Sequence, residues 1–115
     1  MAKARSEALI QLSSPLIFLE AKSIADFALK NRLPAISLFR VFPDSNGLMS
    51  YGPDIADLYR RCGVYVAKVL KGAKVSELPI ERPARFMLVL NTKTATALGL
   101  TIPPSLLLRA DQVIE

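Results

Sequence analysis

The chain has 115 residues, 51% of them hydrophobic and 22% charged, with a net charge of +5. This length and balance exclude a disordered chain and allow one hydrophobic core, so one domain or part of one is expected. The longest apolar runs, such as Leu106-Leu107-Leu108 and Phe86 to Leu90, fall far short of the roughly 18 residues of a membrane-spanning helix, so no such span is expected.

Histidine is absent, which removes imidazole acid–base pairs, Ser-His-Asp triads and imidazole-bearing zinc sites. The basic residues are spread from Lys3 to Arg109 with no tract denser than Arg60-Arg61, the pattern of a solvated face and not of a nucleic-acid surface. Met1 to Glu7 shows no signal-peptide pattern, so the chain as written is expected in the cytoplasm. The single cysteine, Cys62, excludes an internal disulfide and is expected to pack on the apolar face of a helix.

In chain order, Ala8 to Leu12 reads as a buried strand, stopped by a Ser13-Ser14-Pro15 turn. From Phe18 to Asn31, Ala21, Ile24, Ala25, Phe27 and Ala28 recur at helical spacing, and Ala35 to Phe39 follows as a second strand entered through Pro34. Strand, crossover helix and strand form the unit of a parallel sheet, which makes the class α/β. After a loop holding Pro43 to Gly47, Leu48 to Tyr51 reads as a third strand. A helix over about 53–71 carries Ile55, Leu58, Tyr59, Cys62, Val66, Val69 and Leu70 on one stripe, and Gly72 stands where its end favours a left-handed residue. Residues 73–84 read as a surface connection, Phe86 to Leu90 as a further strand, and Lys93 to Leu98 as a helix capped by Asn91 or Thr92 and ended by Gly99. A last short helix starts near Pro103-Pro104.

The corner Tyr51-Gly52-Pro53-Asp54 joins a strand end to a helix start, the place where open α/β sheets gather ligands. Gly52 allows close backbone approach, Pro53 sets the first helical turn, and Asp54 either faces a ligand or simply caps the helix. Tyr51 offers a ring and a hydroxyl. Ser13 and Phe39 stand at the ends of the two preceding strands and complete the candidate ligand-binding set of Ser13, Phe39, Tyr51 and Asp54. The Asp54/Asp57 pair lacks the third ligand or phosphate loop that metal or acid–base chemistry needs, so neither catalysis nor a cofactor is expected.

The segments "LPAISLFRVF", "GLMSYGPD", "KGAKVSELPIE" and "NTKTATALGLTIPPSLLLRAD", in this order and spacing, resemble the C-terminal part of the substrate-binding proteins of bacterial ABC transporters. The resemblance implies a three-layer parallel-sheet fragment of a type I periplasmic-binding fold, in which two lobes close on a solute by hinge motion. It implies a non-enzymatic protein that binds a small carboxylate-bearing molecule such as an amino acid and passes it to an ABC permease, outside the cytoplasm in the full-length family. Residues 8–42 would belong to the second lobe, 48–84 would return to the first, and 85–115 would form a crossing segment and C-terminal helices. A complete member also has an export signal and most of a first lobe, neither found in these residues. Uncovered apolar stripes then imply completion by dimerisation or by element exchange between copies. The competing expectation is a standalone dimeric interaction or regulatory domain with no solute.

Overall fold

The structure, a computed structural model, describes residues 6–115. Its elements in order are β1 (Leu9–Gln11), α1 (Pro15–Leu19), α2 (Ala21–Lys30), β2 (Ala35–Ser37), α3 (Val41–Asp44), β3 (Met49–Pro53), α4 (Ile55–Leu70), β4 (Phe86–Asn91), α5 (Thr92–Ala97), α6 (Pro104–Leu107) and β5 (Gln112–Ile114), with a 3-10 turn at Val75–Glu77 between α4 and β4. The five strands form one sheet in the order β1-β2-β3-β4-β5. β1 runs parallel to β2, β2 to β3, and β4 to β5. The expected α/β class is what the sheet shows. The chain divides into two compact units, one holding the residues up to Gly52 together with Met87–Glu115, the other Pro53–Phe86.

In the first unit, α2 buries Ala21, Ala25 and Ala28, small residues at helical spacing that let its backbone come close to the sheet. Ala25 and Ala28 share a core cluster with Ala35 and the fully enclosed Phe42, and Leu9, Ile24 and Leu33 pack against it. The opposite face of α2 is solvated and carries the Lys22–Asp26 ion pair at 2.8 Å. β4 buries Leu88 to Asn91 in succession, as expected of a strand covered on both faces.

Three local devices hold the rest of this unit. Asn91 is 3% exposed; its Oδ1 accepts from the Thr94 N–H at 2.9 Å, capping α5, while its Nδ2 donates to the Pro43 carbonyl at 3.0 Å. Thr94 Oγ1 donates to the Asn46 carbonyl at 3.0 Å, so the β4–α5 junction grips the α3 turn. Asp111 joins β5 to β4: its N–H donates to the Leu88 carbonyl at 2.9 Å, and its Oδ2 accepts from the Leu88 N–H at 2.8 Å. At Gly52 an added Cβ would fall on the Leu38 carbonyl oxygen, so the ends of β2 and β3 touch at a point that admits only glycine.

The second unit is built on α4. Asp54 caps it, accepting from the Asp57 N–H at 3.1 Å, and Gly72 ends it at φ +98°. Residues 78–82 are tied back onto the helix: Tyr65 donates its hydroxyl to the Pro79 carbonyl at 2.5 Å, and Arg61 donates Nε to Glu81 Oε2 at 2.6 Å with Nη2 on the same oxygen. The Arg61 hydrogen bond holds the Glu81 carboxyl below its ordinary range, and burial pushes the Tyr65 phenol up.

Five expectations are corrected. Ser13-Ser14-Pro15 is not a plain turn, because Ser14 Oγ accepts from the Ile17 N–H at 3.1 Å and Pro15 opens α1. The single helix expected over 18–31 is two, α1 and α2, broken at Glu20. The loop expected around Pro43 contains α3, and residues 112–114 form a strand that was not expected. Cys62 is exposed and does not pack, since no residue of α4 is buried.

Candidate functional site

Parallel register sets neighbouring strands level with one another. Gln11 pairs with Ser37, and Ser37 with Ser50, so these three residues stand side by side across β1, β2 and β3, and all are buried. Two residues further along each strand come Ser13, Phe39 and Gly52, with Tyr51 just before. Three of the four predicted site residues, Ser13, Phe39 and Tyr51, are thereby brought to the same carboxyl end of the sheet by adjacent strands, the location where α/β folds bind ligands.

The surroundings of these three differ. Ser13 is exposed in the link between β1 and α1. Phe39 is half-buried, and its N–H donates to Ser37 Oγ at 3.2 Å. Its ring meets Phe18 of α1 edge to face, with centroids 5.3 Å apart and planes at 87°. Phe18 is 46% exposed and Tyr51 53%, so aromatic surface remains open to solvent at this end. Phe18 was missed in the sequence because it reads there only as the first apolar residue of a helix; an aromatic residue four places after Ser14, which caps α1, was the available signal.

Asp54 belongs to the other unit and is already engaged. Besides the Asp57 N–H, its carboxylate lies 3.9 Å from Arg85 Nε, and its own N–H donates to the Arg85 carbonyl at 3.0 Å. Of the two readings for this residue, the helix cap is the one the geometry displays. Among the described residues no group of three or more acidic, cysteine or histidine side chains converges to hold a metal, and no helix is long and apolar enough to cross a membrane.

A groove of about 610 Å³ lies elsewhere, against Leu9 to Leu12 and the sides of α1 and α2. A second of about 550 Å³ lies in the other unit, between α4 and residues 75–82. Both are mainly apolar.

Solved structures with this arrangement are known. The chain superposes with a TM-score of 0.90 and 28% identity on an ABC domain from Streptococcus pneumonia in complex with L-Trp, covering 98% of this chain and 38% of that one. It superposes with a TM-score of 0.89 and 23% identity on a conserved domain protein from Vibrio cholerae, covering 95% and 37%. A ligand-free, open substrate binding protein with adhesive properties from Clostridium difficile gives 0.64 and 20%, covering 93% and 36%. The chain thus spans little more than a third of each of these proteins, and its sheet corresponds to part of a periplasmic binding protein fold. No curated protein matches it significantly. The family model for ABC transporter substrate binding protein matches residues 2–114, and the chain belongs to that family, whose members bind substrates without catalysis.

Proposed function

We propose that this chain contributes the solute-facing strand ends of a type I periplasmic-binding fold and that the solute is a small carboxylate-bearing molecule with an aromatic or apolar side chain, such as an amino acid. The observation that carries the reading is the gathering of Ser13, Phe39 and Tyr51 at the carboxyl ends of three adjacent strands, with Phe18 set edge-on to Phe39. In this reading the rings stack or enclose the solute's side chain and the Ser13 hydroxyl donates to its carboxylate. The L-Trp held by the pneumococcal relative supports that class. Asp54 stays in the reading as a residue of its own unit, with its cap role first. Delivery would be to an ABC permease, outside the cytoplasm in the full-length family.

Titration calorimetry and thermal shift with L-tryptophan, other amino acids and simple carboxylates test this. A ligand at a hundred times its Kd should add about 2.7 kcal/mol of stability. Phe39→Ala and Tyr51→Ala should each weaken binding at least tenfold; unchanged affinity in both would remove the site assignment. A second reading, a dimeric interaction domain without a solute, is favoured by α4, whose residues are all at least partly exposed. Silence across the ligand series would select it.

A further inference from the structure

Two buried polar residues stand side by side where β1 and β2 end. Gln11 closes β1 and Ser37 closes β2; they are partners in the parallel register, and they are 6% and 3% exposed. Residues level with one another on adjacent strands direct their side chains to the same face of a sheet. Glutamine and serine are mostly surface residues, and where they are buried hydrogen bonds engage them.

Each of the two grips the backbone at one ring of the aromatic pair. Gln11 Nε2 donates to the Ile17 carbonyl at 3.3 Å, and Ser37 Oγ accepts from the Phe39 N–H at 3.2 Å. Ile17 is held a second time, since its own N–H donates to Ser14 Oγ at 3.1 Å. Both backbone groups of the residue before Phe18 are therefore tied to side chains, one from β1 and one from the cap of α1. With five residues, α1 is well short of the ~12–15 at which a helix begins to hold itself, so its direction depends on such ties.

The angle between the rings is what these ties fix. Phe18 and Phe39 stand at 87° with their centroids 5.3 Å apart. A planar ring laid parallel to one of two perpendicular rings meets the other edge to face, so both favoured aromatic arrangements are available to it at once. A branched aliphatic side chain gains only the area it buries. Turning α1 about its axis moves Phe18 relative to Phe39 and forfeits one of the two arrangements.

We propose that Gln11 and Ser37 are positioning residues that hold Phe18 and Phe39 at right angles, and that this fixed corner makes the site choose flat aromatic side chains over branched aliphatic ones. Neither touches the solute; each acts through the ring whose backbone it holds. The proposal rests on the solute reading above and deepens it, by assigning the choice among solutes to two residues beneath the rings.

Titration calorimetry with L-tryptophan and L-leucine tests this. Gln11→Met keeps the length and removes the donor, and Ser37→Ala removes the acceptor. Each should lower the tryptophan-to-leucine affinity ratio by about two- to tenfold, the worth of one aromatic contact beyond its buried area, with leucine affinity unchanged. Thr94→Val, which loses the bond to the Asn46 carbonyl away from the rings, should keep the ratio despite its lower stability. A readout that needs no solute is amide exchange: the Ile17 N–H should exchange about two- to tenfold faster in Gln11→Met, as expected for one lost hydrogen bond. A ratio unchanged in both variants, equal losses for the two solutes, an unaltered Ile17 exchange, or a ratio that falls as far in Thr94→Val would each overturn the proposal and leave the solute reading standing. A wild-type chain that binds neither L-tryptophan nor L-leucine overturns the proposal, and one silent to every amino acid and carboxylate overturns the solute reading with it.

Discussion

Replacing Asn91 with alanine should destabilise the sheet-bearing unit more than any other single polar truncation in it. The side chain is nearly enclosed and serves two buried groups at once, the Thr94 N–H and the Pro43 carbonyl. Loss of the α5 cap costs about 1 kcal/mol, and removing the side-chain donor from the Pro43 carbonyl, which keeps the Asn46 N–H at 3.3 Å, costs a further ~0.5–1.5 kcal/mol. The sum, about 1.5–2.5 kcal/mol, is a large share of the roughly 5–15 kcal/mol that holds a domain folded. Urea unfolding followed by circular dichroism reads this directly: with a slope of about 2 kcal/mol per molar, the midpoint should fall by roughly 1 M at unchanged slope. Thr94→Val, which removes only the bond to the Asn46 carbonyl, should cost about half as much. If Asn91→Ala shifted the midpoint by less than about 0.3 M at unchanged slope, the claim that this residue locks α3 to the β4–α5 junction would fail.

Gly52→Ala would place a methyl group on the Leu38 carbonyl oxygen and should cost about 1–3 kcal/mol by overpacking, where Gly63→Ala, on open space in α4, should instead stabilise by up to about 1 kcal/mol. Cys62 should react fully with a thiol reagent in the native protein, at a rate close to that of the unfolded chain, because it is exposed. The clasp of residues 78–82 on α4 should loosen at both extremes of pH. Glu81 has a depressed folded-state pKa, so its contribution is complete above the ordinary value of 4.5 and is lost as pH falls through the lower folded value. Tyr65 has a raised one, so its contribution is complete below 10.0 and is lost as pH rises through the higher folded value. Limited proteolysis of this segment against pH reads both limbs, and Glu81→Gln should abolish the acid limb while keeping the alkaline one.

Periodicity made α2 and α4 legible in the sequence, and Gly72 and Gly99 announced helix ends that are indeed left-handed, at φ +98° and +73°. The end of α2 carried no such signal, because Arg32 takes the left-handed conformation at φ 51° and the Leu33 N–H closes on the Ala28 carbonyl at 2.8 Å. β5 was invisible for a related reason. Three residues between two acids have no strand pattern, and their place is set by Asp111 gripping Leu88, a tertiary contact. The Ser-Pro pair at 14–15 could signal a turn or a helix start, and the Ile17 N–H decided for the helix. Of the candidate site, the strand-end positions of Ser13, Phe39 and Tyr51 followed from topology alone. The Phe18 partner and the engagement of Asp54 with Arg85 did not, since both depend on packing between distant segments.

The contact at Gly52 bears on the frame that the proposed solute site would stand on. With the Leu38 carbonyl resting where a side chain would begin, the turns that follow β2 and β3 share one fixed point and cannot slide independently. On the proposed solute reading, new specificity would come from exchanging the side chains at 39 and 51 on an unmoving frame, while lengthening or shifting either turn would disturb both together.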